Sequence, residues 1–295
     1  MWRRHPKNQT KHPVNQGRSK KRGRRHEFAR VGLIFKFLPR TCKVLTITRK
    51  KTPVNHEYHI GDVNIQRVQE EKVLGVTITR NLTSDSHVMR IVLKANRMLG
   101  LLKRTCPLMT DIKVRRALYP SLVKSQLTYA TEVWSPASVH LRTILERVQR
   151  RATRWILRTR IGEMSYKQRL LTFRLLPLTY DKELRDLLFL YNCISGYTDL
   201  NIERYVTLLH MAGLALRIPP WPAYCKTATF QASFFNRIVK PWNTICNLSP
   251  QDKFSSPSLF KYFLHATYFT LLDSTYDIDM PCTWFLFRNC PCHRS

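Results

Sequence analysis

A chain of 295 residues, 43% of them hydrophobic, is long enough for one large domain or two small ones and has the apolar content for a real core. Its 50 Lys and Arg stand against 19 Asp and Glu, a formal net charge of +31, and such a chain repels itself and calls for polyanions, nucleic acid first and anionic surfaces second. The longest apolar runs, such as Leu33 to Leu38 and Leu187 to Tyr191, fall far short of the roughly 20 residues of a membrane span, and no apolar signal core follows the basic N-terminus, so an intracellular chain without a membrane span is expected.

Residues 1–30 carry Lys, Arg, His, Asn, Gln and Pro with almost no large apolar residue. Such a stretch cannot offset its ordering entropy, and a disordered basic tail is predicted over 1–38. Inside it Lys20, Lys21, Arg22, Arg24 and Arg25 form a cluster of the kind that marks nuclear localisation or nucleic-acid binding, which points to the nucleus; a solvated basic run without a receptor is the bland alternative. Residues 1–30 hold eleven basic residues and one acid, a net of +10, so +21 belongs to the remainder. The charge is a property of the folded part as well.

Residues 39–80 read as β-hairpins. Cys42 to Lys51 predicts a strand from Val44, Leu45, Ile47 and their flanking Thr residues, and Tyr58 to Val63 and Val68 to Thr79 add extended pieces around the Gly61-Asp62 turn. One small sheet is expected, leaning on the helices that follow.

Residues 81–160 predict three helices. In the first, Val88, Ile91, Val92, Ala95, Met98, Leu99 and Leu102 recur at three- and four-residue steps, and Arg90, Lys94, Arg97 and Arg104 sit off that stripe. The middle helix starts at Asp111 as N-cap and carries Val114, Leu118, Leu122, Val123, Leu127, Ala130 and Trp134. Pro120 interrupts it; an interior proline costs about 3 kcal/mol, which predicts a kink or restart near Tyr119. Ser135-Pro136 ends the segment. The last helix sets Leu141, Ile144, Val148, Ala152, Trp155 and Ile156 against Arg147, Arg150, Arg151, Arg154 and Arg158. Two helices therefore each carry a basic ridge.

A helix pair, Tyr166 to Phe173 and Thr179 to Ser195, is predicted within 161–210, joined through Pro177 and stopped at Gly196. The C-terminal extension, 211–295, begins with a loop or linker from Met211 to Tyr224 containing Pro219, Pro220 and Pro222. Helices follow at Phe230 to Asn247 and Ser258 to Leu272, then an irregular cysteine-rich end. The eight cysteines have no framework spacing and read as reduced thiols. Cys282, Cys290, Cys292 and His293 could supply four zinc ligands, but Cys-Pro-Cys-His puts three of them within four residues, which does not match the usual two-residue gap; free thiols are the other reading, and no metal is assigned. His56, His59, His87 and His210 have no neighbouring nucleophile and base pattern. Trp134, Trp155 and Trp242 would stack on bases or fill the core, and their apolar phase favours the core.

The run Cys42 to Thr48, the run Lys72-Val73-Leu74-Gly75-Val76-Thr77-Ile78, and His87 followed by Lys94 to Gly100 resemble the C-terminal part of a non-LTR retrotransposon reverse transcriptase of the jockey or RTE-like kind. The similarity continues through Tyr129 to Pro136, Glu146 to Ala152, Ser233 to Val239 and Trp242-Asn243, and it covers about residues 40 to 295, leaving residues 1 to about 38 aside. The resemblance implies an α+β architecture: a mainly helical chain with a small N-terminal β-sheet, the remnant of a right-hand polymerase palm (39–80), then a helical thumb (81–160), a helical connection (161–210) and a C-terminal extension. It also implies a primer-grip-like turn at Leu74, Gly75 and Val76, and RNA and DNA as partners in the form of a primer–template. In the intact family an aromatic-Ala-Asp-Asp motif and a further Asp hold two Mg²⁺ ions. This chain has no Asp-Asp pair, and Tyr197-Thr198-Asp199-Leu200 lacks the second carboxylate. No catalytic residue, no cofactor and no nucleotide addition are expected of this chain.

The residues alone lead to the same role. A basic helical ridge can follow a phosphate backbone, releasing counterions, with affinity falling about 10³-fold or more between roughly 50 and 200 mM salt for six or more contacts. Such contacts position a duplex without reading its sequence. Two alternatives stand beside this: the charges merely solvate helix faces, or the tail alone binds polyanions as part of a generic basic nuclear protein whose helices are an inert scaffold.

Overall fold

The computed structural model describes residues 41–48, 50, 52, 56–105, 107–205, 209–211, 214–217, 228–248 and 256–274. The basic tail with Lys20 to Arg25, Cys106, Cys225, the Pro219 to Pro222 cluster and the end containing Cys282, Cys290, Cys292 and His293 lie outside the described residues.

The chain is mainly helical, with small two-stranded ladders. Strands β1 (Lys43–Leu45), β2 (His59–Ile60), β3 (Val63–Asn64), β4 (Gln66–Val68), β5 (Glu70–Val73) and β6 (Val76–Thr79) precede the helices. The single sheet expected here is instead three separate pairs: β1 parallel to β4, and the antiparallel hairpins β2–β3 and β5–β6. Strands of two to four residues are too short to sustain a wider ladder. An ion pair of 2.8 Å between Lys43 and Glu71 links β1 to the β5–β6 hairpin. That hairpin turns through Leu74 (φ +45°) and Gly75 (φ +88°), two left-handed residues in the mirror-image turn that matches strand twist.

Helix α1 (Asp85–Thr105) buries Val88, Val92, Ala95, Leu99 and Leu102, the stripe predicted from periodicity. Helix α2 (Ile112–Leu118) is capped by Asp111, whose carboxylate accepts from the Lys113 amide at 2.7 Å. At Pro120 the helix continues as a π-helical turn, Tyr119–Lys124, and then as α3 (Ser125–Leu127). The wider turn accommodates the missing amide and advances the helical phase by a fraction of a turn. Val114 and Leu122, both predicted on the apolar face, are exposed, while the inward stripe runs through Arg115, Tyr119, Val123 and Leu127 at four-residue steps. After α4 (Thr131–Trp134) comes α5 (Val139–Leu157), which buries Leu141, Leu145, Val148, Ala152 and Ile156.

Helix α6 (Tyr166–Phe173) begins with a capping box between Ser165 and Gln168, and α7 (Leu178–Ile194) enters behind Pro177 and stops before Gly196. A short hairpin, β7 (Leu209–Met211) with β8 (Leu214–Arg217), occupies part of what the prolines predicted as a loop. The remaining helices are α8 (Ala228–Gln231), α9 (Phe234–Arg237), α10 (Val239–Leu248) and α11 (Pro257–Ser274).

Two apolar clusters hold these elements. The first gathers β6, α1, the π-helical turn, α3, α4 and α5; the second gathers α6, α7, α10 and α11 around Leu187, Trp242, Phe260 and Leu264. Helices α6 and α7 serve both, since Phe173 and Leu178 point into the first and Leu170, Leu184 and Leu187 into the second. Among the described residues no helix is long and apolar enough to cross a membrane.

Candidate nucleic-acid interface

The apolar stripes of α1 and α5 both enter the first cluster, and on each helix basic residues occupy the outward side. Lys94, Arg97 and Arg104 of α1 and Arg147 and Arg151 of α5 are exposed, and Arg154 is half-buried. The C-terminal ends of the two helices lie close: Arg158, at the end of α5, donates to the carbonyls of Pro107 (2.9 Å) and Met109 (3.4 Å), just beyond α1. Buried Arg115 of α2 fixes the same end by donating to the Trp155 carbonyl at 2.9 Å, with its guanidinium 5.4 Å from the Trp155 ring centre. Cations near helix C-termini also complement the helix dipoles.

Lys103 joins this end of the ridge, a residue the sequence did not single out. Its side chain lies near Arg151 and Arg154, and partial desolvation followed by the repulsion of those two guanidiniums holds its ammonium below the ordinary lysine value. Three cations from two helices thus meet without a carboxylate between them. The ion pairs among the described residues lie elsewhere, and none involves Lys94, Arg97, Lys103, Arg104, Arg147, Arg151, Arg154 or Arg158.

Besides Arg158, two of the predicted ridge residues are engaged within the fold. Arg90 pairs with Glu70 and donates to the Thr77 hydroxyl at 3.0 Å, which ties the β5–β6 hairpin to α1. Arg150 is half-buried, its guanidinium 4.9 Å from the ring centre of Tyr166. At the hairpin, Leu74 and Gly75 form an exposed tip but Val76 is buried in the first cluster, because side chains alternate along a strand. Tyr129 supports the tip: its hydroxyl donates to the Leu74 carbonyl at 2.9 Å, and a Cβ on Gly75 would stand 3.2 Å from its ring.

Three acids, Glu146, Asp181 and Asp186, are buried. Glu146 of α5 accepts from the Tyr166 hydroxyl and from the Leu178 amide at 2.9 Å, which satisfies a free amide at the start of α7. Gln149 extends this cluster, accepting from Tyr119 at 2.7 Å and donating to the Leu176 carbonyl at 3.0 Å. Burial raises the Glu146 carboxyl, partly offset by those hydrogen bonds. Asp181 sits between Lys124 (2.9 Å) and Arg185 (3.0 Å); burial raises its pKa, but the two cations outweigh burial and leave it below the ordinary value. Asp186 binds Arg237 through both carboxylate oxygens, at 2.8 and 3.0 Å, while Arg237 also donates to the carbonyls of Thr131 and Glu132 and so clamps α4 to α7. Lys182 is buried with its ammonium 4.5 Å from the Trp134 ring centre, and burial lowers its pKa to about 7. His87 also packs against this indole, with ring centres 4.8 Å apart and planes tilted by 60°, and accepts from the Thr77 amide through Nδ1. Trp134 and Trp242 are therefore core residues, and Trp155 is half-buried beneath Arg115.

Among the described residues no group of three or more His, Cys, Asp or Glu could hold a metal ion. Comparison with protein-family models, with curated proteins and with solved structures returns no match for this chain.

Proposed function

We propose that this chain binds nucleic acid through the outward face of α1 and α5, holding a primer–template duplex by its phosphates. On this reading it is a fragment of a non-LTR retrotransposon RNA-directed DNA polymerase that positions its substrate, adds no nucleotide and works in the nucleus. The observation that carries the proposal is the unopposed basic surface: Lys94, Arg97, Lys103, Arg104, Arg147 and Arg151 are exposed, Lys103 lies beside Arg151 across the two helices, and none of the six has an ion pair among the described residues. An ordinary solvated helix face interleaves both signs. Here Glu146 of α5 and Asp181 and Asp186 of α7 are buried, bonded to partners inside the fold.

The polymerase reading is supported by the order of the motifs, a hairpin with a Leu74-Gly75 tip leading into helices with basic outer faces. The chemistry of the ridge suits the part assigned to it. Guanidiniums and ammoniums on packed helices present donors at fixed spacing, and phosphate contacts of this kind set register without reading bases. The Leu74 tip, fixed by Tyr129, would meet the primer end.

The test is binding at several salt concentrations to two labelled ligands of equal length, a recessed DNA primer on an RNA template and a blunt hybrid. The proposal expects tighter binding to the recessed end with a steep salt slope. Equal and weak binding to both, abolished by neutralising Lys20, Lys21, Arg22, Arg24 and Arg25, would leave the tail as the only binding element and overturn it.

A further inference from the structure

Leu108, in the loop between α1 and α2, is 90% exposed, more than any other large apolar residue among those described. A single apolar side chain in water is ordinary; what sets this one apart is how its backbone is held. One guanidinium nitrogen of Arg158 donates to the carbonyl before Leu108, that of Pro107, at 2.9 Å, and to the carbonyl after it, that of Met109, at 3.4 Å. Arg158 itself closes α5 in the left-handed region (φ +58°), a conformation arginine seldom takes. At the other end of the loop Asp111 accepts from the Lys113 amide at 2.7 Å, and Arg115 ties α2 to the Trp155 carbonyl at 2.9 Å. The loop is therefore fastened on both sides, with the leucine side chain left outside.

The surroundings of this loop are cationic. Lys103 and Arg104 precede it at the end of α1, Lys113 and Arg116 follow it as exposed residues of α2, and Arg151 and Arg154 of α5 stand beside Lys103. None of these six has an ion pair among the described residues, and the loop's own acid, Asp111, is engaged as the α2 cap. An apolar tip among cations suits either an anionic membrane or a nucleic-acid duplex. The loop offers one exposed aliphatic side chain. That is little for a lipid surface, where even a whole myristoyl chain gives only marginal attachment. It is enough for a base step, because single aliphatic wedges unstack neighbouring pairs and kink a duplex by about 20–90°.

We propose that Leu108 is a wedge that enters a base step of a duplex bound at this end of α1 and α5, and that Arg158 positions it. The inference rests on the duplex-binding reading above and adds a preference among duplexes to it. Phosphate contacts are blind to sequence. A wedge must unstack a step, which costs least at a mismatch or at a flexible pyrimidine–purine step. The chain therefore favours weakly stacked steps and bends what it binds.

The test uses the full chain and two duplexes of equal length, one fully paired and one with a central mismatch, each with dyes at its ends for energy transfer. The natural sequence is compared with Leu108→Ala, Arg158→Ala and, for the loss of an exposed apolar side chain elsewhere, Tyr262→Ala on α11, where the tyrosine is 76% exposed. The natural chain should bind the mismatched duplex about tenfold more tightly and bring its ends together. Leu108→Ala should cut that ratio to about twofold or less and leave the duplex straight, with the salt slope unchanged because the phosphate contacts remain. Arg158→Ala should lower the ratio likewise, and hydrogen exchange should quicken in the loop while α7 keeps its protection. Tyr262→Ala should change neither ratio nor bend. Equal binding of both duplexes by the natural chain, or a preference that survives Leu108→Ala, overturns the wedge and leaves the ridge standing. Failure of the natural chain to bind either duplex overturns both. Loss of sedimentation with phosphatidylserine vesicles in Leu108→Ala, with the duplex ratio intact, overturns the wedge in favour of a membrane contact.

Discussion

The outer faces of α1 and α5 and the junction around α7 both carry lysines and arginines and treat them in opposite ways. At the junction Lys124, Arg185 and Arg237 are matched by Asp181 and Asp186, and Lys182 rests on Trp134 among Glu146 and both aspartates. On the ridge Lys103, Arg151 and Arg154 face one another with no acid between them. The chain has only 19 carboxylates for 50 cations, and where they sit decides what each cation does. A paired charge in the interior fixes the arrangement of helices, because losing its partner is costly. An unpaired charge in water adds little to stability but sums with its neighbours into a field. Substitutions should therefore separate: junction residues should govern stability, and ridge residues should govern binding.

The largest effect is expected at Asp186. Asp186→Ala leaves the Arg237 guanidinium, 18% exposed in its side chain, without its carboxylate, and urea unfolding should show a loss of about 3–5 kcal/mol. A loss below about 1 kcal/mol would mean the α4–α7 clamp is replaceable by water.

Next comes a pH effect at Lys182. Its folded pKa is about 7 against 10.5 for an ordinary lysine, so between those values the unfolded chain holds the extra proton and stability rises with pH, by at most about 1.4 kcal/mol per unit. Glu183, which burial lifts to about 8, acts in the opposite sense up to that pH. The buried tyrosines Tyr119, Tyr166 and Tyr268, raised above 10.0, oppose the rise beyond it. Urea unfolding at about pH 8 and about pH 10 isolates the lysine when the two proteins are compared: the change in stability between these pH values should be more favourable in the natural sequence than in Lys182→Met. A change of equal size in both would assign it elsewhere.

The smallest effect on stability belongs to the ridge. Arg151→Ala should change unfolding free energy by no more than about 0.5 kcal/mol, yet reduce the salt slope of nucleic-acid binding by about 1. The reverse pattern would merge the two regions and remove the distinction.

Much of this fold was legible because helices announce themselves by period. The α1 stripe from Val88 to Leu102, the Tyr166–Phe173 helix and the Asp111 cap all follow from local rules, and Pro120 marked the place where the π-helical turn forms. What local rules miss is tertiary. Glu146, Gln149 and Thr153 look like solvent-facing polar residues of α5 yet are buried, because Tyr119, Tyr166, Leu178 and Arg169 arrive from elsewhere in the chain to bond them. The same cause draws Arg150 and Arg90 into the fold and leaves Lys103 to join Arg151 and Arg154, a meeting across two helices that no single-helix pattern encodes. Strands of two residues fall below the reach of alternation altogether, so one expected sheet became separate pairs.

The most direct test of the ridge is a salt titration of duplex binding by the full chain in two variants. One carries Arg97→Gln, Arg147→Gln, Arg151→Gln and Arg154→Gln; the other carries Gln at Lys20, Lys21, Arg22, Arg24 and Arg25. If the ridge is the interface, the first variant loses roughly 0.9 from the log–log slope per phosphate contact removed and binds far more weakly, while the second keeps most of both. An unchanged slope in the first variant, with binding abolished in the second, would contradict the account and place all recognition in the tail.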